Sequence, residues 1–189
     1  MNRKSITKEE INRLPLFVFD GTIVIIQSED DAIIAINKLK EEKILGFDTE
    51  TRASFQKGER YDVSLLQLAT SEHAYLFRLN MFPIMSELTE LLENADIVKT
   101  GMAVRDDIKT LQKRRPFVAN NFIDLADMAM DREILNMGLR ALTAIFLGKR
   151  LSKREKISNW DKPQLTESQI AYAACDAVVG FMIYQAMLR

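Results

Sequence analysis

The chain has 189 residues, of which 47% are hydrophobic and 28% charged, and its formal net charge is −1. That size fits one globular domain with a substantial core. The single cysteine, Cys175, excludes an internal disulfide and suits a reducing compartment. No apolar run of signal-peptide or membrane length is evident, so a soluble, cytoplasmic protein is expected.

Residues 1–20 read as an N-terminal extension and residues 21–189 as one domain without repeats or a linker. The β-branched run at 22–27 predicts a first strand. Ser28 then offers an N-cap to a helix whose Ile33, Ile36 and Leu39 recur at helical spacing. Strands follow at 44–49, 63–69 and 74–77, a helix at 83–92, and a short strand at 97–100. Helices are expected at 103–112, 124–130, 139–147 and 167–187. Strands first and helices after predict an α/β fold, a mixed central sheet flanked by helices. The polar stretch 51–61 reads as a loop beside the second strand.

Acidic residues in three segments carry the chemistry. Asp48 and Glu50, in ILGFDTE, lie two apart at the end of an apolar run and so share one strand face, with Thr49 turned away. In GMAVRDDIKTL, Val104, Ile108 and Leu111 form an apolar helical stripe that includes Asp107, while Asp106 points further out and is the second choice. In AYAACDAVVG, Tyr172 and Asp176 are one helical turn apart, and neighbouring alanines allow close packing on a sheet. Buried carboxylates that converge need a counter-charge, and a hard divalent cation held by oxygen ligands supplies it. Mg²⁺ or Mn²⁺ is the expected ion.

Charge is unevenly distributed. Residues 139–162 hold seven basic residues against two acidic ones, a net +5, and Lys113, Arg114 and Arg115 form a second cluster. These segments read either as phosphate contacts or as solvated faces. Lys149, Arg150 and Lys153 are the candidate nucleic-acid contacts, with Phe55 as a candidate wedge or stacking platform. Other features carry less. The segment FVFDGT lacks the nucleophilic aspartate of a phosphoaspartate enzyme, since Val18 stands at that position, so Asp20 and Gly21 read as a turn. His73 falls in a predicted turn, Cys175 and Trp160 read as packing residues, and Met128, Met130 and Met137 read as core filler.

FDTE, GMAVRDDIKTL and YAACD, in this order and spacing, resemble the three exonuclease motifs of the DEDD superfamily, in its YxxxD branch. The group most similar is that of ribonuclease D and the Werner-syndrome-type exonuclease domains. VSLLQLAT, LRALTAIFLGKRLSK and ISNWDKPQLTESQIAYAACDA add to the likeness, which runs from about Gly21 to the C-terminus. The resemblance implies a ribonuclease H-like fold and hydrolysis from the 3′ end of DNA or RNA, releasing nucleoside 5′-monophosphates with two divalent metal ions. It implies that Asp48, Glu50, Asp107 and Asp176 hold the metals and that Tyr172 orients the attacking water. Lys109 stands where the Werner-type branch often has an aromatic. Substrate choice is then set within this domain or by a protein partner. A non-catalytic nucleic-acid-binding module and a scavenger of short RNAs are the alternative readings.

Overall fold

A computed structural model describes residues 3–56 and 58–189. Its six strands are β1 (Thr22–Ile26), β2 (Ile44–Thr51), β3 (Val63–Ala69), β4 (His73–Arg78), β5 (Val98–Gly101) and β6 (Phe122–Asp124). They form one sheet in the order β1-β4-β3-β2-β5-β6, with β3 antiparallel to both neighbours and the other pairings parallel. Every residue of β3 is buried, as expected of a central strand covered on both faces. The expected α/β architecture is therefore present.

One face is covered by α2 (Glu29–Leu39), α3 (Ser86–Glu93) and α4 (Val104–Arg114), whose Ile36, Leu39, Leu88, Leu92 and Leu111 meet Phe47, Leu66 and Phe77. The other face is covered by α7 (Glu167–Leu188), flanked by α5 (Leu125–Asp131), α6 (Leu139–Leu147) and a short α1 (Lys8–Arg13). Helix α7 is 22 residues long and apolar enough to cross a membrane by length and composition alone. This corrects the expectation that no segment reaches that length. Here Ala173, Ala174, Ala177 and Val178 are instead fully buried against the sheet.

Small residues set how closely α7 approaches. A Cβ on Gly46 of β2 would lie 2.0 Å from the Ala177 carbonyl oxygen, so the helix backbone rests directly on the strand. The start of α7 is fixed by a capping box between Thr166 and Gln169. The buried Gln169 amide also donates to Ser158 Oγ at 2.7 Å and to the Asn159 carbonyl at 3.1 Å, which ties the preceding loop to the helix. Trp160, fully buried between Leu65, Leu76 and Ala173, completes that junction.

Several expectations need correction. Ile33 is 37% exposed, and Ala32 and Ala35 pack beside Ile36 instead. Met130 and Met137 are exposed rather than core residues, whereas Met128 packs against the helical cluster. His73 opens β4 and stacks on Tyr75, with ring centroids 5.9 Å apart. Elements α1 and β6, with six and three residues, are too short to show a period in sequence.

Candidate active site

Strand periodicity places Asp48 and Glu50 on the same face of β2 as Gly46, toward α7. Asp176 precedes Ala177, the residue whose carbonyl abuts Gly46, so the close helix–strand contact carries its carboxylate to the strand. Carboxylate oxygens of Asp48, Glu50 and Asp176 all lie within 4.8 Å of one another. Tyr172, one turn earlier on α7, stands beside the group, and its ring is 6.2 Å from that of Trp160.

Asp107 joins from the opposite side. It is half-buried on α4, and the Thr49 hydroxyl donates to its Oδ1 at 2.6 Å. Thr49 is therefore turned from the Asp48–Glu50 face, as alternation requires, but it holds the fourth acid in place. Asp106 is exposed and pairs with Lys109 at 3.2 Å. The entry to α4 is tightly shaped. A Cβ on Gly101 would fall 2.1 Å from the Phe47 carbonyl oxygen, and Ala103 takes the left-handed conformation at φ 57° as the N-cap. A non-glycine residue in that region costs about 1 kcal/mol, and the Ala103 N–H meets Asp124 Oδ1 at 3.3 Å.

The protonation balance shows what this cluster lacks. Burial, followed by Asp176, Glu50 and Asp107, pushes Asp48 well above the usual carboxylate range. Burial with Asp176 and Asp107 raises Glu50 to about 9. Burial lifts Asp176 to about 7 against a lowering hydrogen bond from Tyr172. Burial also lifts Asp107 to about 6, opposed by the Thr49 hydrogen bond. Burial and the adjacent acids raise the Tyr172 phenol, which stays protonated. Four acids so disposed are short of positive charge.

A further polar residue belongs to this neighbourhood. Gln67 on β3 is the cross-strand partner of Asp48, fully buried, and neither atom of its amide has a hydrogen-bond partner among the described residues. Opposed residues of an antiparallel pair point to the same face, so Gln67 flanks Asp48. A glutamine inside the apolar run VSLLQLAT was the sequence signal for it.

The expected nucleic-acid contacts divide. Phe55 is 82% exposed and, with Arg52, Tyr61 and Ile157, lines a cleft of about 270 Å³ beyond the end of β2. Lys149 is exposed. Arg150 Nε donates to the Leu14 carbonyl at 3.0 Å, and residue 150 bridges to Leu16, so part of its head group seats the N-terminal segment. Lys153 lines a groove of about 610 Å³ whose lining also includes Tyr172 and Asp176. The second basic cluster is structural in part: Arg114 and Arg115 donate to the carbonyls of Val63 and Ile84. Cys175 is half-buried and packs near the helical cluster.

Residues 23–189 match the family model described as 3′–5′ exonuclease. The bifunctional 3′–5′ exonuclease/ATP-dependent helicase WRN of Mus musculus is 33% identical over 184 residues, covering 92% of this chain and 13% of that protein. Exonuclease 3′–5′ domain-containing protein 2 of Drosophila melanogaster is 33% identical over 82% of the chain and 27% of its own length. The chain thus spans well under half of either relative. Among solved structures, the Aedes aegypti Nibbler EXO domain superposes with a TM-score of 0.81 at 25% identity, covering 92% of this chain and 90% of that one. Escherichia coli RNase D shares the fold, with a TM-score of 0.78 at 22% identity over 87% of this chain and 44% of that one. With the match spanning β1 to the C-terminus, including all three acidic segments, the chain belongs to the 3′–5′ exonuclease family.

Proposed function

We propose that this protein is a divalent-metal-dependent 3′–5′ exonuclease. It hydrolyses the terminal phosphodiester of DNA or RNA and releases nucleoside 5′-monophosphates. The observation that carries this reading is the convergence of Asp48, Glu50 and Asp176 oxygens within 4.8 Å, with Tyr172 alongside. The donor set fits Mg²⁺ or Mn²⁺, since all its ligands are hard oxygens, and burial and the neighbouring acids raise Asp48 and Glu50 in a way that a bound cation would offset. The orphaned Gln67 amide next to Asp48 gives a hydrogen-bonding partner to a carboxylate turned into its ligating position.

Asp48, Glu50, Asp107 and Asp176 would hold the divalent cations, which would supply a bound water of lowered pKa and compensation for charge on the reacting phosphate. The protein's own residues do the positioning. Asp48 and Glu50 project from one rigid strand, and Asp176 from a helix locked onto that strand by Gly46. Asp107 is steered by Thr49 from the other side. With Asp176 engaged by a cation, the Tyr172 phenol, which stays protonated, would turn its one O–H from that carboxylate to the attacking water and fix the water's direction without itself taking a proton. Catalysis on this account is mainly orientation and charge compensation.

The test is product analysis after digestion of a short oligonucleotide in ¹⁸O-labelled water with Mg²⁺ or Mn²⁺, using DNA and RNA in parallel. The label is expected in the phosphate of released 5′-mononucleotides, leaving a 3′-hydroxyl on the shortened strand. Release of 3′-mononucleotides, or binding with no product at all, refutes the reading. Including dinucleotides separates general trimming from scavenging of short RNAs.

A further inference from the structure

The groove of about 610 Å³ is lined by Lys8, Arg140, Lys153 and Lys156, and its lining also includes Tyr172 and Asp176. Among the described residues none of the four cations stands within ion-pair distance of a carboxylate, although Arg3, Lys4, Lys40, Arg105 and Lys109 all do. Four unneutralised cations in one concave surface attract a polyanion. The Arg140 side chain adds a sharper sign: its Nε is buried and has no hydrogen-bond partner. A buried donor without an acceptor is destabilising, and a phosphate oxygen would satisfy it. Arg140 also sits in the first turn of α6, whose N-cap, Gly138, provides no side-chain cap and lines the same groove. Of the helix's first N–H groups, those of Ala141 and Leu142 donate to the Gly138 carbonyl, which leaves the N–H groups of Leu139 and Arg140 without a partner among the described residues at an end that favours an anion.

From these features we infer that the groove is a phosphate-binding track for the strand whose 3′ end lies at Tyr172, and that α1 is one of its walls. The inference rests on the exonuclease reading and adds a part that the family match, which begins at residue 23, does not cover. The N-terminal segment is held firmly enough for that role. Ile6 and Ile11 are buried with Leu142, Ile145 and Val179. The Ile6 N–H meets Asn136 Oδ1 at 2.8 Å, and the Leu135 N–H meets the Lys4 carbonyl at 2.8 Å. A capping box between Thr7 and Glu10 fixes the start of α1 and so presents Lys8, its first residue, at the groove edge. The ligand class is the sugar-phosphate backbone. DNA and RNA strands share that chemistry, and contacts to phosphate carry no sequence information.

The experiment is a salt titration of binding by fluorescence anisotropy, with end-labelled oligothymidylate and oligouridylate in EDTA. It compares the full chain with Lys8→Ala, Lys8→Ala/Lys156→Ala and Lys40→Ala. A phosphate contact on a single strand contributes about 0.7 to the slope of log K against log salt. Lys8→Ala should lower the slope by about 0.7 and the double variant by about 1.4, equally for both oligonucleotides. Lys40→Ala, on the α2–α3 face and paired with Glu90, should leave it unchanged. An unaltered slope in the Lys8 and double variants, or an equal fall in Lys40→Ala, overturns the track. The assay reads binding without turnover, so a failure of the exonuclease reading in product analysis remains a separate result.

Discussion

Replacing Asp176 by asparagine keeps the shape of the side chain and removes one of the crowded charges. Burial holds its carboxyl at about 7, against an ordinary 3.8. Between those values the unfolded chain has released the proton and the native protein has not. The contribution of this group to stability is therefore greatest below pH 4, falls as pH rises toward 7, and then levels off. At about 1.4 kcal/mol for each pH unit, the loss in the metal-free protein reaches about 4 kcal/mol by pH 8 and under half of that at pH 5. Asparagine has no proton to lose, so Asp176→Asn should regain up to that amount in EDTA. For a domain of this size 1 kcal/mol moves the melting temperature by about 2–4 °C, so a gain near 10 °C is expected at pH 8 and a much smaller one at pH 5. Thermal unfolding followed by circular dichroism measures it. Adding Mg²⁺ or Mn²⁺ should stabilise the native sequence at pH 8 far more than the variant. An equal shift at both pH values, or a less stable variant at pH 8, would refute the argument that ionisation of a metal-free carboxylate cluster strains the fold.

Tyr172→Phe should retain metal binding, measured by isothermal titration, and slow turnover by about 10²-fold, as misdirection of a nucleophile does. Its pH–rate profile should match that of the parent, because the phenol does not ionise in that range; a shifted profile would make Tyr172 a proton carrier. Gln67→Leu removes two unpaired buried atoms and should raise metal-free stability by about 1 kcal/mol while weakening metal affinity. A purely structural Gln67 would show lower stability and unchanged affinity. Gly46→Ala forces the Ala177 backbone away and should cost about 3 kcal/mol in a denaturant titration, with metal affinity falling because Asp176 retreats from Asp48. Wild-type stability in that variant would show that α7 does not rest on β2 as described.

The acids were legible because they follow rules of spacing. Asp48 and Glu50 obey strand alternation, Tyr172 and Asp176 one helical turn, and Asp107 interrupts an apolar stripe, and the structure brings all of them to one neighbourhood. The sheet and its main helices were readable for the same reason: β3 is a continuous apolar run and α6 matches the expected span. What lay outside sequence reach is pairing across distance. Thr49 was read as turned away because periodicity describes a face and not what comes to meet it. Gln67 becomes informative only when the register sets it opposite Asp48. The basic residues show the same limit, since charge counting treats Arg150, Arg114 and Lys153 alike. In the fold Arg150 and Arg114 bond to backbone carbonyls, while Lys153 lines the groove. Residues 1–20 read as an extension because α1 is too short to show periodicity, yet Ile6 and Ile11 sit among the helices behind the site.

The most direct measurement is a gel time course with strands labelled at the 5′ end, in Mg²⁺, Mn²⁺ or EDTA, beside Asp48→Ala. The account predicts a metal-dependent ladder that shortens progressively from the 3′ end and vanishes in the variant and in EDTA. A ladder that survives in Asp48→Ala, or immediate release of the 5′ label as a mononucleotide, would contradict it.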